Sequence, residues 1–456
     1  MSDYPSIFNN VIGPIMRGPS SSHTAASVRI GLLGRMLLQD IPKRAIITFD
    51  PEGSLATTYR GQGSAMGLAG GLLEMQISDP DLINAEQICR ERGIEILFRI
   101  EPLAGDHPNT YHIELTGTQG KKVQFVALST GGGIIRLVEL DGGIIEDDSS
   151  YVQSLYPIQP QGNRDLPFVT IAEMEQLLLE KGGRLSDYAL SYESALGGVE
   201  EKIVADLAAE HLRVMREAVS GGLEGTSYQD RILPAQSHLI GEAENRKELI
   251  PSALINDVIA SVSAVMETKS SMGVIVAAPT AGSCGTLPGA LSAVAEKTGK
   301  TGEEMERAVL AAGLLGVFIA REGGFAAEEG GCQYECGAAS GMTAAALVEL
   351  MGGDGATALK AASMALQNTL GLICDPVADR VEVPCLGKNI MAALNAVAAA
   401  NMALAGFAHV IPLGQVICAM KEVGAAMCHR FRCTCKGGLS ITPAAQDIHA
   451  GLGGTA

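Results

Sequence analysis

Tryptophan is absent, and tyrosine and phenylalanine number nine each, so aromatics make up only 4% of the 456 residues. An interior so poor in rings is built from Ala, Leu, Val, Ile and Met, and the 55 glycines let backbone segments approach closely. An excess of basic charge is also missing. The net charge of -18 opposes nucleic acid and anionic membrane as partners; it says little about a small substrate, whose site can be locally positive. The opening Met1-Ser2-Asp3-Tyr4-Pro5 lacks the basic and then apolar run of a secretory leader. Ten cysteines without a leader are expected in the reducing cytoplasm, where thiols serve metals or catalysis rather than disulfides. Charge is absent altogether from Ile390 to Leu413, a run long enough to span a bilayer. Its alanine content, its internal Asn395, Asn401 and His409, and its lack of a strongly basic flank predict instead a central helix buried on all sides.

The length and the ordinary hydrophobic fraction of 47% suit two or three globular domains. Before residue 150 short β-rich runs alternate with turns. Ala45–Phe49, Ile96–Ile100, Tyr111–Leu115 and Val123–Leu128 read as strands, with helical stretches over Ala25–Gln39 and Ser64–Leu73. The mixture predicts an α/β sandwich-like domain over residues 1–155. From Ser149 to Pro167 three prolines with Gln, Asn and Gly mark a linker. Thr170-Ile171-Ala172-Glu173 is then a capping box that opens a helix. Helical periodicity dominates from there, near 199–218, 252–267, 303–320, 341–351, 355–370, 388–410 and 413–427. The fold expected is α+β, with an all-α domain over 168–456 that carries a buried central helix.

Several loops carry polar groups in patterns that suit ligands. Gly18-Pro19-Ser20-Ser21-Ser22-His23-Thr24 precedes a helix read from Ala25. Hydroxyls and an imidazole at a helix N-terminus suit an anion such as a substrate carboxylate; a set of N-cap residues is the plainer reading. Ser129-Thr130-Gly131-Gly132-Gly133 closes a strand, as an anion cradle or as a tight turn, and lacks the Gly-Lys-Ser/Thr ending of a nucleotide loop. Ala278–Thr286, with Thr280 and Ser283, is either a pocket lining or a helix-start turn. His107, in His107-Pro108-Asn109-Thr110, stands in a loop before a strand and can reach a site. Cys428, His429, Cys433 and Cys435 read as a thiol cluster near solvent, because four zinc ligands would have to converge within eight residues.

Cys332, Cys374 and Cys385 carry the sharpest signal. They lie in Gly331-Cys332-Gln333, Cys374-Asp375-Pro376 and Val383-Pro384-Cys385, where Gly and Pro neighbours place them at loops or element ends. Buried structural thiols are one reading. The other is a three-thiolate 4Fe-4S cluster whose fourth iron has no protein thiolate and serves as a Lewis acid.

With these motifs together, the chain resembles the iron–sulfur-dependent L-serine dehydratases (L-serine ammonia-lyases) in their single-chain form, along nearly its whole length. The three cysteines have 41 and then 10 residues between them, the family's intervals. The resemblance implies a cytoplasmic lyase of amino-acid catabolism that converts L-serine to pyruvate and ammonia and feeds gluconeogenesis. It implies a homodimer, and a first domain like the allosteric substrate-binding domain of some phosphoglycerate dehydrogenases. It also implies Cys332, Cys374 and Cys385 as ligands of a 4Fe-4S cluster. The catalytic base is then His23 or a hydroxyl of the Ser20–Ser22 run. Contacts to L-serine fall to Ser21, Thr24, Gln62, His107, Ser129, Gly131, Gly132, Thr280, Ser283, Lys388 and Asn389. Two segments depart from the family. Gln62 and Ala65 replace its usual His and Asp, and Gly387-Lys388-Asn389 replaces an acidic-basic pair before Asn. Gln62 leaves a related β-hydroxy acid or amino acid as the alternative substrate.

Overall fold

The structure is a computed structural model; it describes residues 4–17, 21–53, 55–61, 63–103, 107, 109–160, 165–228 and 231–452. It divides into two compact units. One runs from Pro14 to Gln159; the other comprises the segment before Pro14 and the chain from Pro160 onward.

The first unit is a six-stranded mixed sheet with helices on one face. The strands are β1 (Pro42–Phe49), β2 (Glu95–Ile100), β3 (Thr110–Gly117), β4 (Lys122–Gly131), β5 (Ile134–Leu140) and β6 (Gly143–Ile144), in the order β2-β1-β3-β4-β5-β6. β1 and β2 run parallel, and the other pairs are antiparallel. The period-2 alternation of β3 turns Tyr111, Ile113 and Leu115 inward and leaves Glu114 outward. Helices α1 (Ser21–Leu38) and α2 (Ser64–Leu72) lay Ile30, Leu33, Leu68 and Leu72 over that face. All four strands read from sequence are present; β5, polar at Arg136 and Glu139, and the two-residue β6 are additional. Helix α1 starts at Ser21, ahead of the expected Ala25, so Ser21 and Ser22 enter its first turn rather than preceding it. The front of the Pro-rich linker also belongs to this unit. Val152 is buried in the sheet core, the Tyr156 hydroxyl accepts from the Ile135 amide at 3.0 Å, and the Arg29 guanidinium lies 4.4 Å over the Tyr156 ring.

The second unit is helical. Its main helices are α3 (Ile171–Lys181), α4 (Leu185–Gly197), α5 (Glu201–Glu224), α6 (Ala253–Ser270), α7 (Thr286–Thr298), α8 (Gly302–Glu322), α9 (Ala338–Leu350), α10 (Gly355–Gln367), α11 (Cys385–Leu404) and α12 (Leu413–Ala426). The capping box at Thr170 and Glu173 starts α3 as the sequence indicates. The buried central helix is α9: all thirteen of its residues are buried, among α7, α8, α10 and α11. The expectation that the charge-free stretch 390–413 is buried on all sides is corrected. Helix α11 ends at Leu404, exposes Gly387, Met391, Ala398 and Asn401, and is followed by exposed Phe407 and Val410. Small neutral residues fill its outer face, so missing charge there reflects alanine content and not burial. No helix among the described residues is long and apolar enough to cross a membrane.

The segment before Pro14 docks into the helical unit. The Glu193 carboxylate on α4 accepts from the Ser6 hydroxyl and from the amides of Ile7 and Phe8 at 2.9 and 3.4 Å. Ile7 and Val11 fill notches on α8 at Gly313 and Gly316, where an added Cβ would lie 2.4 and 2.0 Å from them.

Two outcomes follow from this packing. At the α1–α2 crossing a Cβ on Gly71 would stand 2.2 Å from the Val28 carbonyl oxygen and 2.7 Å from the Gly31 Cα. Backbone cannot yield as a side-chain tip does, so Gly71→Ala is expected to destabilise the first unit by about 2 kcal/mol or more in denaturant titration; a loss under about 0.5 kcal/mol would refute the contact. The second outcome concerns pH. Burial pushes the Glu193 carboxyl up to about 7, with its three donors pulling partly back. Between the ordinary Glu value near 4.3 and about 7 the folded protein holds a proton that the unfolded chain has released. Stability from this group therefore falls as pH rises through that window and is level above it, a change of about 3 kcal/mol in order of magnitude. Glu193→Gln should flatten the decline of the urea midpoint between pH 5 and 8; parallel profiles would argue against it.

Candidate active site: a buried thiol cluster

Three chain segments converge in the helical unit. Cys332 follows Gly331, whose φ of +72° and Cβ position 2.8 Å from the Leu372 carbonyl oxygen admit only glycine there. Cys374 lies in a short parallel bridge to Arg432: its amide donates to the Phe431 carbonyl at 2.8 Å, and its carbonyl accepts from the Cys433 amide at 3.0 Å. Cys385, after Pro384, opens α11. All three are buried.

The sulfurs of Cys332 and Cys374 and a carboxylate oxygen of Glu335 lie within 4.8 Å of one another. Cys385 stands outside that tight group, yet near enough for its thiol to feel Cys332, Lys269, Glu335 and Lys388; burial and the Cys332 charge push it up. Hydrogen bonds from the Cys336 and Cys374 thiols, with the Lys388 ammonium nearby, hold the Cys332 thiol well below the ordinary range, in the thiolate form. Cys336 and Cys374, as donors to it, are raised. Burial, then the Cys332 charge, pushes the Glu335 carboxyl up to about 8; its Oε1 accepts from the Thr280 hydroxyl at 2.6 Å. Lys388 sends its ammonium to Asp375 Oδ1 and the Ile373 carbonyl, both at 2.7 Å, and to Cys332 Sγ at 3.8 Å.

Asn389, fully buried, ties α11 to the loop at 278–286. Its Oδ1 accepts from the Gly285 amide (3.1 Å) and the Thr286 hydroxyl (3.0 Å), while its Nδ2 donates to the carbonyls of Gly282 (2.8 Å) and Cys385 (2.9 Å). In that loop Thr280 and Ser283 form a capping box, and Ser283 donates to the Ala278 carbonyl at 3.2 Å. Thus Thr280, Ser283, Asn389 and Lys388 gather around the three cysteines, with Lys388 turned to the thiols.

The remaining sequence candidates lie in the first unit. His23 is half-buried in the first turn of α1 and burial lowers its pKa; Thr24 is buried beside Gly63. Gly132 and Gly133 have φ of +58° and +78°, and Gly133 lies against Ala25 and accepts from Arg29 at 2.6 Å, so this glycine turn packs on α1 just after its first turn. His107 Nδ1 accepts from the Asn109 amide, the Asn109 carbonyl accepts from the Ser129 amide at 3.0 Å, and Ser129 is buried. Ser20 and Gln62 lie outside the described residues, as do the side chains of Ser21 and Ser22. Gly131 ends β4.

The tail cysteines do not form a cluster of their own. Cys433 packs against Cys374 and Cys332, Cys435 turns its thiol to the Pro376 carbonyl, and Cys428 is exposed. Sequence reasoning missed Glu335, one helical turn after Cys332, and Asp375, next to Cys374; helical spacing and adjacency could have found both. It also missed Lys269, buried with its ammonium on the Val381 carbonyl at 2.6 Å, for which the sequence holds no signal.

Soft buried thiols, one of them held as thiolate, with ammonium groups beside them, fit an iron–sulfur group better than a hard cation. Fold and site thus define an α+β enzyme with a buried cluster of thiols, a donor set compatible with a soft metal group. The chain belongs to the serine dehydratase alpha chain family, whose profile matches residues 162–440. It is 38% identical over 289 residues to the probable L-serine dehydratase, alpha chain, of Bacillus subtilis, covering 63% of this chain and 96% of that one. It is 30% identical to L-serine dehydratase 2 of Escherichia coli over 465 residues, 94% and 97% of the two chains, and 31% identical to L-serine dehydratase of Streptomyces coelicolor over 448 residues, 93% and 96%.

Replacing Asn389 with Ala strands two acceptors and two donors in the interior. At about 1–3 kcal/mol for each buried polar group left without a partner, Asn389→Ala is expected to cost at least about 3 kcal/mol in denaturant stability. A cost below about 1 kcal/mol would mean that the loop at 278–286 is not held this way.

Proposed function

We propose that this protein is an L-serine ammonia-lyase that converts L-serine to pyruvate and ammonia, with Cys332, Cys374 and Cys385 holding a 4Fe-4S cluster that has one iron without a protein thiolate. The observation that carries the reading is the convergence of the three cysteine segments on one buried, ammonium-flanked site in a chain of this family. Relatives matched along nearly their full length and named L-serine dehydratase support the substrate.

The reaction removes the Cα proton and the β-hydroxyl, giving water and aminoacrylate; this tautomerises and hydrolyses to pyruvate and ammonium without further enzymatic help. Bound at these thiols, the cluster supplies a Lewis-acidic iron that eases departure of a hydroxyl group. The Cα proton goes to His23. Burial keeps that imidazole neutral near pH 7, the form that accepts a proton. Ser20 and Ser22 are the other candidates for this step. Hydroxyls and amides of Ser21, Thr24, Gln62, His107, Ser129, Gly131, Gly132, Thr280 and Ser283 bind the carboxylate and ammonium of the amino acid, and Asn389 fixes the loop that carries Thr280 and Ser283. The helical unit excludes water from the thiols, which keeps their electrostatic interactions strong. A homodimer in the cytoplasm completes the reading.

Anaerobically prepared protein should release pyruvate and ammonium in equal amounts from L-serine, and more slowly from other β-hydroxy amino acids and hydroxy acids. Cys332→Ser, Cys374→Ser and Cys385→Ser should each lose both the broad visible absorbance of the cluster and the activity, and Cys336→Ser should retain the absorbance. Full turnover by iron-free protein would overturn the cluster; turnover confined to another β-hydroxy acid would overturn the substrate.

A further inference from the structure

We infer that Lys388 is the positioning residue of the thiol site and not a contact to the substrate; this deepens, and rests on, the iron–sulfur reading above. The geometry joins all three ligand segments through one side chain. Lys388 stands one helical turn after Cys385 on α11, so the two residues share a face. Its Nζ donates to the carbonyl of Ile373 and to the carboxylate of Asp375, each at 2.7 Å, and these are the residues on either side of Cys374. The same Nζ lies 3.8 Å from Cys332 Sγ. An ammonium has three N–H donors, and here each has a partner on a ligand segment. None is left for a substrate carboxylate.

The carboxylate that receives Lys388 is itself anchored. Asp375 is buried, and its second oxygen accepts from the Leu439 amide at 2.9 Å, with Gly438 packed so closely that an added Cβ would lie 2.6 Å from it. The side chain of Lys388 is only 13% exposed and that of Asp375 5%, so the pair is poorly screened by water. Its positive end faces the Cys332 sulfur. Groups that orient ligands and place charge beside the sulfurs set how firmly a metal group is held and how readily it is reduced.

The test compares the full-length, iron-loaded protein with Lys388→Met, which keeps the chain length without charge, and Lys388→Arg, which restores the charge. Iron release to a ferrous chelator and the cluster's midpoint potential are measured beside KM and kcat for L-serine. Expected for Lys388→Met are iron release at least tenfold faster, a more negative potential, and a kcat that falls with iron content while KM stays within about twofold. Lys388→Arg should bring iron release back to within about threefold of the wild-type protein. Wild-type iron release and potential in Lys388→Met, with KM raised tenfold, would overturn the inference and make Lys388 a substrate ligand. Should Lys388→Met not fold, Asp375→Asn keeps the ammonium but loosens its anchor. Faster iron release with a more positive potential supports the assignment, and no change in either overturns it. Wild-type protein that takes up no iron would bring down the iron–sulfur reading and this inference with it; normal loading with indifferent variants brings down the inference alone.

Discussion

The helical unit depends on one neutral side chain placed where no water reaches. Asn389 spends both ends of its amide on Gly282 and Gly285 in the loop, Thr286 at the helix start that follows, the Cys385 carbonyl and the Cys336 sulfur. A buried amide is tolerated only when its bonds are made, so the loop and the first turn of α11 have one mutual arrangement. The cysteine that opens α11 inherits that arrangement. So does Lys388, one residue earlier, which hands the constraint on to Ile373, Asp375 and Cys332. Three segments far apart in sequence are held through two adjacent residues.

Electrostatics gives the same region its character. An isolated buried thiolate is costly, and the Cys332 thiolate is tolerated because two thiols donate to it and an ammonium faces it. Its charge in turn raises the neighbouring thiols and adds to the effect of burial on Glu335. The shifts run in opposite directions within one group of side chains: Cys332 is lowered, while Cys336, Cys374, Cys385 and Glu335 are raised.

Much of this was legible in the sequence because it depends on local pattern. Alternation gave the strands at Ala45–Phe49 and Tyr111–Leu115, and the Thr170–Glu173 box placed the start of α3. The paired cysteine intervals with their Gly and Pro neighbours led to Cys332, Cys374 and Cys385. What was not legible depends on tertiary context. The stretch 390–413 has no charge, but whether alanine faces the core or solvent is decided by its neighbours, and here α9 takes the centre. The resemblance implied Lys388 and Asn389 as contacts to L-serine. What it did not carry is their bonding to backbone, carboxylate, hydroxyl and thiol groups that only the folded chain brings near. Lys269, in the middle of a helix, has its carbonyl partner 112 residues away.

The helical unit is discontinuous in sequence. The segment that Glu193 caps, and that fits the glycine notches of α8, is made first, whereas α8 spans Gly302–Glu322. During synthesis those early apolar residues, Ile7, Phe8 and Val11, stay without their berth until some three hundred residues have followed, and contacts of such separation form slowly. A chain cut at the Pro-rich linker would leave the helical part with an empty furrow and a capless carboxylate at Glu193. The two units therefore cannot be exchanged like beads on a string; a helical piece meant to stand alone must bring the opening residues with it.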